Sequence, residues 1–297
     1  MRIRTRGLGK RYGPSWAVRD LDLAVPPGEV FGFLGPNGAG KSTTIRMLLG
    51  MARPTAGEAW LAGYRADDVQ RAHQHVAYVP ADVALWPQLT GREVLELVAH
   101  LGPRPDVSYR DRLVDTFSLD LGKRSRAYSS GNRQKVALVA AFATRAPVLI
   151  FDEPTSGLDP LMEQAFRTAV IEARTAGQSV FVSSHQLAEV EAICDRVGIL
   201  RAGELVEVAG LDHLRQLRRV EIDVRYAGDD LQVDDLLALP GVAEARRLEQ
   251  GHLILHLAGN EALGPVLGQL AQAVPTALGV REPSLEEIFL EYYGNPT

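Results

Sequence analysis

The chain is nearly free of cysteine and lysine and has no long apolar run, and each shortage removes a class of protein. Cys194 is the only cysteine among 297 residues, so no intrachain disulfide can form, and a reducing compartment with an inert, buried thiol is expected. The longest apolar stretch, Val136 to Ala143, falls far short of the roughly 20 residues that a membrane-spanning helix needs. Met1 to Lys10 also lacks the apolar core of a signal peptide. A protein made and kept in the cytoplasm is therefore expected. There are only four lysines (Lys10, Lys41, Lys123 and Lys135), and no basic stripe of the kind that grips nucleic acid, so no nucleic-acid partner is expected.

What is present fits a globular protein of two domains. Hydrophobic residues make up 46% and charged residues 23% of the chain, enough to bury a sizeable core. The net charge of −5 is uneven, because residues 212–297 carry 7 Arg against 14 Asp and Glu. The composition shift near Leu211 divides the chain into residues 1–210 and 211–297.

In the first part, Val30 to Leu34 reads as a strand, and Ile45, Leu48 and Leu49 then repeat at helical spacing until Gly50. From about 87 to 143 the pattern is mainly helical. Val148–Phe151 and Val180–Ser183 are short apolar runs that read as buried parallel strands. A helix carrying Leu187, Val190 and Ile193 leads to a hairpin, Val197–Leu200 and Leu205–Val208, turning at Ala202-Gly203. The second part reads strand Val220–Tyr226, helix Asp230–Leu239, strands Val242–Leu248 and His252–Leu257, helix Glu261–Ala273 and strand Thr276–Arg281. That β-α-β-β-α-β order points to a small α+β ferredoxin-like module. A capping box at Ser284–Glu287 then opens a helix with Leu285, Ile288, Phe289 and Tyr292 on one face.

Gly35-Pro36-Asn37-Gly38-Ala39-Gly40-Lys41-Ser42 matches the phosphate-binding pattern G-x-x-x-x-G-K-[ST] between a strand and a helix. Glycines let backbone N–H groups converge on phosphate oxygens, the helix start adds its positive dipole end, and Lys41 reaches the terminal phosphates. The Ser42 hydroxyl is placed to hold Mg²⁺. Asp152 and Glu153 come directly after the strand Val148–Phe151, at the edge where α/β sheets bind ligands. An acidic pair there is otherwise often a solvated turn. Beside a phosphate loop, Asp152 is expected to steady the magnesium and Glu153 to polarise the attacking water.

Further segments, in order, narrow the class. Ser129-Ser130-Gly131-Asn132-Arg133-Gln134-Lys135, starting 23 residues before Asp152 and preceded by Tyr128, resembles the L-S-G-G-Q signature of ABC ATPases. Ser156-Gly157-Leu158-Asp159 resembles their D-loop, and His185, 33 residues after Asp152, stands at the switch-histidine position. Tyr12 stands where the family places an aromatic ring against adenine. The resemblance covers residues 1 to about 210, and the closing segment Pro283–Tyr293 looks like the end of bacterial drug-resistance cassettes of the daunorubicin-exporter type.

The resemblance implies a P-loop NTPase cassette with an inserted helical subdomain. It implies an ATPase using ATP and Mg²⁺, with residues 35–43 through Thr43, Ser129, Ser130, Gly131, Asn132 and Asp159 at the nucleotide. It also implies a head-to-tail homodimer beneath a permease encoded on separate chains, peripheral on the cytoplasmic face of the membrane and working in export. Two positions depart from the pattern. Ala81 stands where the Q-loop glutamine belongs, with Asp82 next door expected to substitute for it toward metal, and Ser130 replaces the first signature glycine. These departures leave open a regulatory or non-transport ABC protein that hydrolyses ATP weakly.

Overall fold

The computed structural model describes residues 1–102, 104–211, 220–227 and 232–281. The chain divides into two compact units, Met1–Leu211 and Asp212–Thr297.

The first unit is built on a six-stranded sheet in the order β10-β9-β3-β8-β7-β6. Its strands are β3 (Val30–Leu34), β6 (Val76–Val79), β7 (Val148–Asp152), β8 (Ser179–Ser184), β9 (Arg196–Arg201) and β10 (Glu204–Gly210). All pair in parallel except the edge strand β10. Every residue of β3, β7 and β8 is buried, as expected of strands covered on both faces. A second, antiparallel sheet, β2-β1-β4-β5, comes from β1 (Ile3–Tyr12), β2 (Ser15–Val25), β4 (Ala56–Leu61) and β5 (Tyr64–Arg65). Its apolar residues Ile3, Leu8, Val18 and Leu21 share one core with Phe31, Phe33 and Phe181.

Helix α1 (Lys41–Leu48) leaves β3, and the short α2 (Val69–Ala72) precedes β6. Between β6 and β7 lies the helical region: α3 (Gly91–Leu101), α4 (Val107–Thr116) and α5 (Ser130–Ala143). Thr90 and Glu93 close a reciprocal capping box that starts α3. Helix α6 (Pro160–Thr175) comes after β7 and α7 (Leu187–Glu191) after β8. Phe142 of α5, Phe151 of β7 and Phe166 of α6 form a ring cluster with centroids 5.0–6.0 Å apart, fastening the helical region to the strand that carries the acidic pair.

The second unit is a four-stranded antiparallel sheet in the order β12-β13-β11-β14. Its strands are β11 (Val220–Tyr226), β12 (Val242–Glu249), β13 (His252–Leu257) and β14 (Pro275–Arg281). Helices α8 (Val233–Leu237) and α9 (Leu263–Gln272) join them, giving the ferredoxin-like order. Ile222, Val224, Leu253, Leu255 and Leu257 pack with Leu236, Val266 and Leu270. Helix α8 stops at Leu237, short of the Leu239 expected, because Pro240 disfavours helical backbone in the residue before it. A 3₁₀ turn, Asn260–Ala262, opens the stretch read as one helix from Glu261. The helix expected after Ser284 lies outside the described residues.

Phe142 is fully buried at the junction of helical region and sheet. Phe142→Ala is expected to cost about 3–5 kcal/mol in a urea unfolding titration. A cost under about 1 kcal/mol would show that this cluster is not what holds α5 to β7.

Candidate nucleotide site

The phosphate loop is shaped by what lies behind it. A Cβ on Gly35 would meet the Leu200 carbonyl at 2.4 Å, and one on Gly40 would meet the Ala17 carbonyl at 2.4 Å, so only glycine lets the loop sit this close to its neighbours. Gly40 also has a φ of 110° as it caps α1. The hairpin turn at Ala202-Gly203, with φ values of 50° and 85°, supports the loop through Gly203 N–H donating to Ala39 O at 3.0 Å. No side chain caps α1, so no cap occupies the free N–H groups of its first turn. Lys41 is buried, and its ammonium donates to Gly35 O at 2.7 Å and Pro36 O at 3.3 Å. Ser42 and Thr43 are half-buried on the first turn, while Pro36, Asn37 and Gly38 are exposed at the rim.

The acidic pair leaves the end of β7, two strands from β3. Asp152 is buried, and the Ser183 hydroxyl donates to its Oδ1 at 2.5 Å. The same hydroxyl accepts from Glu153 N–H at 3.1 Å, so one buried serine orients both acidic residues. Burial and the Asp152 carboxylate push the Tyr78 phenol on β6 up to about 12. Glu153 has a left-handed φ of 49°, sparsely populated for a non-glycine residue, and this turns it away from the strand direction. Its Oε1 lies 3.5 Å from Lys41 Nζ and its Oε2 lies 3.5 Å from His185 Nδ1. Lys41, Glu153 and His185 are thus gathered at one point, with Asp152 behind. Beside them opens a cavity of about 410 Å³ lined by Glu153, Gly157, Arg167 and His185 among others.

The oxygen donors beside the loop fit a magnesium ion. Ser183 occupies one oxygen of the buried Asp152, leaving the other available, and Ser42 offers a half-buried hydroxyl on the helix beside the loop. Hard oxygen donors of this kind, few in number, suit an ion whose remaining ligands come from phosphate and water.

The signature segment lies elsewhere. Ser129 caps α5 by accepting from Asn132 N–H at 3.2 Å, with Ser130 and Gly131 in the first turn. A Cβ on Gly131 would meet the Gly157 carbonyl at 2.6 Å, so the signature packs against its own D-loop. Among the described residues, no hydrogen bond or ion pair joins Ser129–Asn132 to the phosphate loop. Tyr128, in the leucine position, is buried with its hydroxyl on Asp120 O at 2.6 Å. Asp159 caps α6 through Leu161 N–H and Met162 N–H, both at 3.1 Å. Tyr12, half exposed at the end of β1, has the Lys10 ammonium 5.1 Å from its ring centre. Ala81 and Asp82 stand exposed on the loop after β6, and no hydrogen bond or ion pair links Asp82 with Ser42 or Asp152.

The sequence assigns no site role to three residues of this neighbourhood. Besides Ser183, Gln134 of α5 is buried with its amide on Pro154 O at 3.1 Å, and Glu189 of α7 accepts from the Thr155 hydroxyl at 2.8 Å. A polar Ser183-Ser184 pair closing an apolar strand, and a glutamine entering an apolar helix, are the available signals.

The ABC transporter family model matches residues 18–156, and the model of the C-terminal domain of DrrA1-3-like ATP-binding proteins matches residues 212–293. Daunorubicin resistance ATP-binding protein DrrA3 of Streptomyces coeruleorubidus is 34% identical over 99% of this chain and 96% of its own length. The chain belongs to the ABC transporter ATP-binding proteins. Cassettes of this family are ATPases. An uncharacterized ABC transporter ATP-binding protein, all4389 of Nostoc, is 40% identical over 67% of this chain, and the match spans 61% of that relative. A solved ATP-binding subunit of an ABC transporter superposes with a TM-score of 0.68 at 33% identity, over 73% of this chain and 92% of its own. Matches of this breadth place an ABC cassette before a DrrA-like C-terminal domain. Among the described residues, no helix is long and apolar enough to cross a membrane.

In this ABC cassette the closeness of Gly131 to Gly157 has a measurable consequence. Gly131→Ala forces the signature turn and the D-loop apart, and is expected to lower ATP turnover at least about tenfold, on the scale that small misplacements cost. Binding of a fluorescent ATP analogue should stay near wild type. Unchanged turnover would show that this contact does not set the signature's position.

Proposed function

We propose that this protein is the ATP-hydrolysing subunit of a drug exporter, a homodimer seated on the cytoplasmic face of the cell membrane beneath a permease carried on separate chains. The observation that carries the reading is Glu153, held between Lys41 and His185 at 3.5 Å from each. A carboxylate at that point can take a proton from water attacking a phosphate in the loop. His185 donates a hydrogen bond toward the terminal phosphate, and Lys41 exchanges its loop carbonyls and Glu153 for phosphate oxygens. The loop backbone and the start of α1 bind the remaining phosphates, and Tyr12 stacks on adenine. Ser42 and Asp152 would hold Mg²⁺, which would supply positive charge to offset that of the phosphate oxygens. Export, rather than import, is supported by the likeness to a daunorubicin resistance protein along almost the whole chain.

Because no hydrogen bond or ion pair among the described residues ties Ser129 to its own phosphate loop, a second copy is the partner that brings a signature to each nucleotide. Ser130 and Ala81 favour a second reading, a nucleotide-binding regulator with weak hydrolysis, which steady-state phosphate release by the purified protein separates from the first.

Glu153→Gln is expected to bind ATP while turnover falls by about 10²–10⁴, the worth of a positioned general base. Near-normal phosphate release would remove Glu153 from that role.

Lys41→Ala and Ser129→Arg should each inactivate the homodimer, since every shared site then contains one defect. In mixed dimers both lesions fall in one site and leave the other whole. Random assembly at equal concentrations is expected to regain roughly a quarter of wild-type activity if the sites are independent. Mixed dimers that form, yet neither trap nucleotide nor hydrolyse it, would sink the shared-site reading.

A further inference from the structure

Glu189 lies in neither of the two loops that carry Glu153 and His185, yet it is bonded to the first and to the strand end from which the second departs. Its Oε1 accepts from Thr155 Oγ1 at 2.8 Å, and its Oε2 accepts from Ser184 Oγ at 2.5 Å. Thr155 stands two residues past Glu153, and Ser184 immediately precedes His185. The Ser184 hydroxyl also accepts from Gln186 N–H at 3.0 Å, so the connection continues to the far side of His185.

The need for such a tie arises from where the sheet ends. The ladder between β7 and β8 stops at Asp152↔Ser183, extended only by the Glu153 N–H bonds to Ser183. Beyond that point the two loops have no shared strand. The contact between Glu153 and His185 cannot supply the constraint, because at 3.5 Å it is longer than a good hydrogen bond and His185 is 43% exposed. Glu189 is partly buried, and one of its oxygens takes a hydroxyl from the Glu153 loop while the other takes one from the last residue of β8, next to His185. A charged acceptor makes both bonds stronger than neutral pairs.

We infer that Glu189 is a positioning residue for ATP hydrolysis: its carboxylate, bridging Thr155 and Ser184, holds the Glu153 and His185 loops in one fixed relation. The inference rests on the assignment of Glu153 and His185 given above. The sheet itself does not require this bridge, since all of β7 is already paired with Ser179–Ser183 of β8 by the strand ladder. Its loss should therefore act on turnover before it acts on folding.

The test is phosphate release by the full chain across ATP concentrations, with thermal unfolding measured in parallel. Glu189→Ala is expected to lower kcat on the order of tenfold to a hundredfold, with KM for ATP within about threefold of wild type, the pattern of lost transition-state geometry. Glu189→Gln keeps an acceptor for one hydroxyl and a donor for the other, and should recover most of kcat. Thr155→Val should lower kcat while Thr155→Ser does not, and Glu189→Ala combined with Thr155→Val should be no worse than the poorer single variant. Wild-type kcat in Glu189→Ala, alongside an inactive Glu153→Gln, overturns this inference alone. Failure of Gln to rescue, with kcat falling in step with melting temperature, also overturns it, because a role in folding only is then sufficient. Near-normal hydrolysis by Glu153→Gln instead overturns the underlying assignment. If Glu189→Ala does not fold, the Thr155→Val and Thr155→Ser pair decides: equal kcat in both rejects the bridge.

Discussion

The parallel register of β3, β8 and β7 is the constraint on which the site depends. Leu34 stands opposite Ser184, and Ser183 opposite Asp152, so three strands end on nearly one line. The segments leaving these strands are then forced to the same edge: the phosphate loop after β3, the acidic pair after β7 and the histidine after β8. Register here is strongly specified because both faces of these strands are buried. A slip by one residue would turn Phe31, Phe33 and Phe181 out of their shared packing. The hydrophobic core thus sets the position of the charged groups, and polar contacts only refine it.

That refinement is concentrated on a few buried polar atoms. Ser183, fully buried, serves both acidic residues at once, and Lys41 is held by loop carbonyls as well as by Glu153. Glu153 occupies a left-handed backbone conformation that costs an ordinary residue about 1 kcal/mol or more. Strain of this sort persists only where the surroundings over-determine it. Here the paired strand behind and the hydrogen bonds to Ser183 do so.

Local pattern makes much of this readable. The glycine spacing of residues 35–42, the apolar runs of β7 and β8, and the bounds of β11 and β13 all come from short stretches of sequence with a regular period. The β1–β2–β4 sheet is not legible in this way, because register shifts between Thr5, Leu8 and Lys10 break the alternation that marks a strand. The partners of the acidic pair are hidden for a different reason. Ser183 is 31 positions from Asp152 and Glu189 is 34 from Thr155, and no periodicity within either segment encodes which distant loop it will face. Tyr128 shows the same limit. Its fit depends on Gly91, where a Cβ would meet the phenol oxygen at 2.2 Å.

The sheet order also governs how the molecule comes into being. Val30 pairs with Val180, and Phe31 with Arg196, so the phosphate loop, made early, has no neighbouring strand until most of the first unit has left the ribosome. Closing contacts over such separations is slow, and parallel strands awaiting partners expose apolar edges meanwhile. Through that interval the glycine-rich segment has its motif but not its walls, since Leu200, Gly203 and Ser184 all arrive later. Nascent chains halted before about residue 184 should therefore be ATP-blind and dependent on chaperones, whatever the quality of their sequence motif.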